Sequence, residues 1–261
     1  MLNIVLPIAG RGSRFVAAGY DLPKPLIPVH GVPMIELVVQ NVRPRVPHRF
    51  IFLALDEHLQ HLGMRATLER AAPGCRIVPV AQVTEGAACT VLLARDLIDS
   101  DDPLMLANSD QWVDIRIDDY LASMDEPYAD GLIMTMEAHD PKWSFVGLDA
   151  AGWVTRVVEK QVISAEATVG IYNFRRGRDF VCGADQMIAK DLRVNGEFYV
   201  APVYNELLAR GARVAIHNVG RDGAGMHGLG IPADLDRFLS NPVSHRAAGL
   251  ERSDRAVGLT G

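Results

Sequence analysis

Cysteine is scarce in this chain of 261 residues: Cys75, Cys89 and Cys182 make an odd number, and none belongs to a C-x-x-C pair. Such usage argues against a disulfide framework and against a thiolate zinc site. Positive charge is short as well, with 26 Lys and Arg against 32 Asp and Glu, a net charge of 26 − 32 = −6. A chain with that balance has no general reservoir for neutralising a nucleic-acid backbone, so no nucleic-acid partner is expected and any phosphate site must be local. Long apolar runs are also missing. No stretch approaches the roughly 20 apolar residues of a membrane span, and the opening Met1-Leu2-Asn3-Ile4-Val5-Leu6-Pro7 has no basic lead. The opening reads as a buried strand, and the expectation is a reducing cytoplasm without a membrane partner. No G-x-S-x-G occurs, so covalent hydrolase chemistry has no support. What the chain does have is apolar content, 49% of its residues, enough for a large core without staples.

Short apolar runs alternate with helix-length amphipathic segments in the first half, which predicts βαβ units on a mainly parallel sheet. Strands are expected at Leu2–Leu6, Arg49–Leu55, Arg76–Ala81 and Pro103–Ala107, with helices from Pro33 to about Asn41, from Asp56 to about Ala72, and over Gly86–Ile98. Past about Ala129 the connections shorten, and strands are expected at Asp130–Glu137, Ser144–Leu148, Trp153–Glu159 and Thr168–Phe174. Helices at Asp179–Lys190 and Val200–Arg210, a strand at Arg213–Val219 and a last helix from Pro232 to Leu239 complete the pattern. The expectation is one domain over residues 1–239, with a break in pattern near 128/129. Residues 240–261 lose apolar periodicity and read as a mobile tail.

Two segments of the first half are chemically suggestive. Pro7-Ile8-Ala9-Gly10-Arg11-Gly12-Ser13-Arg14-Phe15 directly follows the first strand, and ligands collect at the carboxyl ends of such strands. Gly lets backbone N–H groups approach an anion, while Arg11 and Arg14 add forked, permanently charged donors. It is neither a Walker A loop, since G-x-x-x-x-G-K-[ST] is absent, nor a dinucleotide fingerprint, since Phe15 stands at the third glycine position. An ordinary Gly-containing turn has the same look. The second segment, Leu22-Pro23-Lys24-Pro25-Leu26-Ile27-Pro28-Val29, sets Lys24 between two prolines and predicts a stiff extended stretch.

In combination, G-x-G-[ST]-R-F and P-K-P-L-I-P-V resemble the N-terminal signature of the sugar nucleotidyltransferases, or nucleoside-diphosphate-sugar pyrophosphorylases. Further matches follow in family order: Gln82 with Glu85-Gly86-Ala87-Ala88, Leu106-Ala107-Asn108-Ser109-Asp110-Gln111, Phe145-Val146-Gly147, Val157-Val158-Glu159-Lys160, Val169-Gly170-Ile171-Tyr172 and Gly228-Leu229-Gly230-Ile231-Pro232. The resemblance implies a Rossmann-like, GT-A-like α/β fold with a mixed, mainly parallel central sheet flanked by helices. It implies an NTP-binding half over about 1–128 and an acceptor-binding half over about 129–239. The implied reaction is Mg²⁺-dependent transfer of an NMP group from an NTP to a sugar 1-phosphate or other phosphorylated small molecule, with release of pyrophosphate. Ala9, Gly10, Arg11, Gly12 and Ser13 would hold the triphosphate, and Arg14 would grip the leaving pyrophosphate. Lys24 would bridge the two phosphates, and Asp110 would hold Mg²⁺. Gln82 and Gly86 would read the base; an amide side chain suits a pyrimidine, so CTP, UTP or dTTP is expected. Gly147, Glu159, Lys160 and Tyr172 would line the acceptor side, in a monomer or homodimer.

The sequence departs from the family pattern at two places. Relatives with a second metal-binding aspartate carry it in a W-x-D-x-G segment, and the matching stretch here, Met226-His227-Gly228-Leu229-Gly230, puts Gly228 at that position. Asp222 on the same Gly-rich loop is expected to replace it, or water does, with His227 a neighbour. Asn195-Gly196-Glu197-Phe198-Tyr199-Val200-Ala201-Pro202-Val203-Tyr204 resembles a short capsule or surface-polysaccharide subgroup that includes cytidylyltransferase-like members, which makes Glu197 a candidate acceptor contact. A glycosyltransferase of the same broad fold is the rival enzyme reading, disfavoured because Asn108-Ser109-Asp110 holds one aspartate where D-x-D has two. A non-catalytic, nucleotide-sensing homologue is the rival outside enzymes, motivated by Gly228 and disfavoured by Arg14, Lys24 and Asp110.

Overall fold

A computed structural model describes residues 1–60, 63–125 and 128–250. Its 11-stranded sheet takes the order Arg76–Val80, His48–Leu55, Leu2–Pro7, Leu104–Ala107, Glu166–Phe174, Gly131–Glu137, Val214–Asp222, Gly225–Gly228, Gln111–Val113, with the Ser144–Leu148/Val154–Glu159 hairpin joined to Glu166–Phe174 at its side. The first four strands in this order are mutually parallel. Glu166–Phe174 runs antiparallel to both its neighbours, and Val214–Asp222 is again parallel to Gly131–Glu137. The sheet is thus mixed and mostly parallel, with helices flanking it.

Strand residues alternate between two cores. Leu2, Ile4 and Leu6 point to one apolar cluster with Phe50, Phe52 and Ala54, whereas Val5 joins Ile51, Leu53 and Leu55 in another. That division is the period of two read on a sheet covered on both faces. The helix Met34–Asn41 covers the first cluster through Ile35, Val38 and Val39. Gly177–Ala189 and Val203–Leu208 cover the second through Phe180, Ala184, Val203 and Leu207.

A third cluster joins segments that are far apart in sequence. Phe15, Ile27, Val29, Met34, Trp112, Leu229, Leu235 and Phe238 pack together, so residues from both glycine-bearing loops and from the Lys24 segment share one apolar anchor. Phe15 is fully buried, which explains the aromatic ring at the third glycine position.

Several expectations need correction. The helix expected from Asp56 to about Ala72 is two helices, Asp56–Gln60 and Met64–Ala71, the second entered through Gly63 in a left-handed conformation. The helix expected over Gly86–Ile98 is interrupted after Leu92 and resumes at Arg95. The mobile tail is corrected over its first part. Val243–Ala247 is a short helix whose Val243 and Ala247 pack into the third cluster, Ser244 Oγ lies 2.7 Å from His30 Nε2, and Arg246 pairs with Asp114 at 2.6 Å. Two apolar contacts on five residues are too few to register as periodicity. The rest of the expected tail, 251–261, lies outside the described residues. Among the described residues no helix is long and apolar enough to cross a membrane.

Candidate active site

The loop after Leu2–Pro7 turns through Gly12, whose φ of 61° and ψ of 34° make it the left-handed N-cap of the helix Ser13–Ala17. Its carbonyl accepts from the N–H groups of Phe15 and Val16. A Cβ on Gly12 would stand 3.2 Å from Cβ of Lys24, so the absence of a side chain here lets the two motif segments pack closely, and the positive φ favours glycine as well. Lys24 itself differs from expectation. It begins a single 3₁₀ turn, Lys24–Leu26, after an extended Pro23, and the Leu26 N–H donates to the Pro23 carbonyl at 2.8 Å. Pro25 fits inside that turn because an early helical position has no intrahelical partner for the missing N–H. The segment stays stiff.

Lys24 Nζ donates to Asp110 Oδ2 at 2.8 Å, joining positions 86 apart in sequence. Asp110 lies just past Leu104–Ala107, beside the end of the first strand, and both partners are half-buried. Asp110 stands on a cleft of about 590 Å³ whose wall also includes Arg14, Gln111, Glu159, Tyr172 and Asp234, and Lys24 reaches that wall through its bond to Asp110. The cleft therefore opens at the carboxyl ends of parallel strands, where open α/β sheets bind ligands.

The part of the cleft wall carried by the strands is buried at Ser144, Glu159, Thr168 and Tyr172. Glu159, at the end of its strand, is 9% exposed and accepts a short hydrogen bond from Ser144 Oγ. Burial pushes its carboxyl up from the ordinary value of 4.5, opposed by the Ser144 hydrogen bond and by Lys160. Tyr172 and Thr168 share a hydroxyl contact at 3.0 Å, and burial raises the phenol so that it stays neutral. Trp143 and Tyr199 add aromatic surface to the same wall.

Not every residue singled out in the sequence reaches this cleft. Ala9 is buried beneath the loop, while Gly10, Arg11 and Ser13 are exposed beside Arg14 without forming the cleft wall. Gln82 is exposed on the stretch leading to Ala87, which does line the cleft. Gly86 has a structural reason to be glycine: a Cβ there would come 2.4 Å from the Phe198 carbonyl oxygen. Gly147 faces the Arg156 and Thr155 side chains, outside the wall. Lys160 is exposed, its ammonium 5.2 Å from the Tyr199 ring centroid. Glu197 is exposed and off the wall, while its neighbour Phe198 is core and Tyr199 faces the cleft.

Asp222 is also corrected: its carboxylate is taken by Arg237 at 3.2 and 3.1 Å, and it does not line the cleft. His227 is 6% exposed, its ring 5.8 Å from Trp112 and 5.5 Å from Phe238, and burial lowers its pKa so that it is a neutral core residue.

Among the cleft residues that sequence reading missed, two matter most. Gln111 is 7% exposed, and its Nε2 has no hydrogen-bond partner among the described residues. Its signal was adjacency to Asp110. Asp234, in the first turn of Pro232–Leu239, left no signal beyond an acid suited to a helix start. Among the described residues no group of three or more His, Cys, Asp and Glu converges as a metal cage. Carboxylate oxygens on the cleft wall, with open space beside them, instead fit Mg²⁺, which takes one or two carboxylates and keeps waters or substrate phosphates.

Fold and cleft together define an α/β protein with a glycine-bearing loop after its first strand, a lysine–aspartate pair, and a cleft lined by that aspartate, Arg14 and buried polar strand residues. Residues 3–180 match the nucleotidyl transferase family, and the chain belongs to it. The Bifunctional protein GlmU of Cupriavidus metallidurans is 30% identical over 169 residues, a match that takes in 63% of this chain and 35% of the relative. The chain thus matches about a third of that curated relative's length. A nucleoside-diphosphate-sugar pyrophosphorylase from Vibrio cholerae RC9 superposes with a TM-score of 0.76 at 24% identity, over 92% of this chain and 100% of that one. The inositol-1-phosphate CTP transferase from T. maritima gives 0.69 at 15% identity, over 95% of each chain. These structures share the fold.

Proposed function

We propose that the protein transfers a nucleoside monophosphate from an NTP to a phosphorylated small molecule, a sugar 1-phosphate or a related compound, and releases pyrophosphate. The observation that carries this reading is the 2.8 Å contact of Lys24 with Asp110 on a cleft that also holds Arg14. An oxygen of the acceptor phosphate forms a bond to the α-phosphorus. The bond from that phosphorus to the oxygen bridging to the β-phosphate breaks, and its electron pair leaves with pyrophosphate. Such a reaction needs two anions held in line and their charge neutralised, which positioning and electrostatics provide.

Arg14 binds phosphate oxygens through its forked donors, and Lys24 brings a compact ammonium to the point where the two phosphates meet. Before substrate arrives, Asp110 holds that ammonium in place. Mg²⁺ on Asp110 would supply the remaining neutralisation of the phosphoryl group when bound. Glu159, Tyr172 and Tyr199 form the acceptor wall. Their hydrogen-bonding groups and rings suit a polyhydroxylated or otherwise polar body behind the phosphate. The donor is a pyrimidine nucleotide, CTP, UTP or dTTP, a reading supported by the amide of Gln82, whose paired donor and acceptor match one edge of a pyrimidine. The test is a panel of purine and pyrimidine NTPs crossed with phosphorylated acceptors, read by pyrophosphate release. Turnover with a pyrimidine NTP and one acceptor class is the expected result; no release across the panel overturns the reading.

A further inference from the structure

The strand Gly225–Gly228 pairs antiparallel with Gln111–Val113, with Gly228 opposite Gln111, and the next N–H, of Leu229, donates to the Asp110 carbonyl at 2.7 Å. The Gly228–Gly230 stretch is therefore stitched to the backbone that carries Asp110. Two carboxylates close on it. A Cβ on Gly230 would lie 3.1 Å from Asp110 Oδ2, and a Cβ on Gly228 would lie 3.3 Å from Asp234 Oδ2. The space that a side chain at 228 would enter is thus already used by a carboxylate arriving from the following helix.

An ordinary role for Asp234 would be a first-turn helix acid paired with its i+3 arginine, and part of it does that: Oδ1 accepts from Arg237 at 2.9 Å. Oδ2 accepts no hydrogen bond among the described residues, and Asp234 lines the same cleft as Asp110. Arg237 also clamps Asp222, so one guanidinium holds Asp222 away and steadies Asp234. A second observation points to a polar ligand here: Gln111, opposite Gly228, lines the cleft and buries an Nε2 donor without a protein partner among the described residues. We propose that Asp234 is the second divalent-cation carboxylate of the cleft, acting with Asp110 and standing in for the side chain that Gly228 lacks. Gln111 Nε2 then donates to a substrate oxygen beside the cation. This assignment rests on the nucleotidyl-transfer reading for its purpose, though not for its test.

The test is Mn²⁺ binding to the full chain without substrates, by titration with electron paramagnetic resonance detection. Asp234→Asn weakens Mn²⁺ binding by about 10- to 100-fold, a loss of the size seen when a metal site loses a supporting group. Asp222→Asn leaves the affinity within about threefold, well under the tenfold that 1.4 kcal/mol represents. The double variant Gly228→Asp with Asp234→Asn recovers binding, because a carboxylate returns to the same space from the other side; a merely structural role for Asp234 predicts no recovery. Unchanged binding in Asp234→Asn, or a double variant no better than the single one in a chain with native circular dichroism, overturns the assignment. A wild-type chain that binds no Mn²⁺ overturns it as well. Mn²⁺ binding with the expected variant pattern but no pyrophosphate release from any substrate pair sinks the proposed reaction and leaves the cation site standing.

Discussion

On the loop wall of the cleft Arg14 is exposed and Asp110, like the Lys24 bonded to it, is half-buried, whereas on the strand wall Glu159, Ser144 and Tyr172 are buried and bonded to one another or to Thr168. The loop wall keeps its charges wet and hangs them on turns. Its order comes from below, from the cluster in which Phe15, Ile27, Leu229 and Leu235 meet. The strand wall needs no such anchor, since its side chains project from paired strands. Charges that must meet incoming phosphates gain from being able to adjust, while groups that sort one acceptor from another gain from being fixed before it arrives.

The sharpest way to break this contrast is to remove the anchor. Phe15→Ala deletes a fully buried ring, a change that costs about 3–5 kcal/mol in a packed core. The expected outcome is a large fall in the urea midpoint and, at temperatures where the chain stays folded, weaker NTP binding. A midpoint within experimental error of wild type would mean that the loop wall does not depend on the cluster. Next in size are Lys24→Ala and Asp110→Asn. Both partners are half-buried, so the fold tolerates the change, while pyrophosphate release falls by about 10²- to 10³-fold or more, as when one preorganised charge is removed from a transfer centre. Normal turnover in both variants would show that the 2.8 Å pair is only structural. On the strand wall the effect is smaller. Tyr172→Phe leaves Thr168 without its 3.0 Å partner and lowers stability by about 1 kcal/mol, and the Michaelis constant for the acceptor rises more than that for the NTP. An equal rise for both substrates would remove Tyr172 from the acceptor side.

The same contrast decides what could be read from sequence. Regular elements were legible where periodicity had room: Pro232–Leu239 matches to the residue, and Met34–Asn41 and His48–Leu55 to within one. The loop wall was legible because its chemistry is written in short local motifs, so Lys24 and Asp110 were each singled out before the structure joined them across 86 positions. The strand wall was read in part: Glu159 and Tyr172 line the cleft, but Gly147 and Glu197 do not, because which face a strand-end or turn residue presents depends on packing that adjacency does not encode. Phe198 and Tyr199 show it plainly, one in the core and the other on the cleft. Asp234 was illegible for a different reason. Its meaning lies in the space that Gly228 leaves free of a side chain, which the Asp234 carboxylate enters only once the helix has docked.

The smallest expected effect tests the buried wall by pH. Burial raises the Glu159 carboxyl above its ordinary 4.5, against the pull of Ser144 and Lys160, so ionising it is harder in the folded chain than in the unfolded one. Below pH 4.5 both states hold the proton and the group brings no penalty. As pH rises through the raised folded value, the unfolded chain has already released its proton and the folded chain must follow, so stability is lost across that window. Glu159→Gln keeps an oxygen for the Ser144 hydroxyl and removes the ionisation. The stability of Glu159→Gln relative to wild type, from urea midpoints between about pH 4 and 8, is therefore expected to climb with pH and level off once Glu159 has ionised. A difference that stays flat over that range would mean that the strand wall meets water as freely as the loop wall does. The claim that it is fixed and dry before the acceptor binds would then fail at Glu159, the carboxylate that reports it by titration in this range.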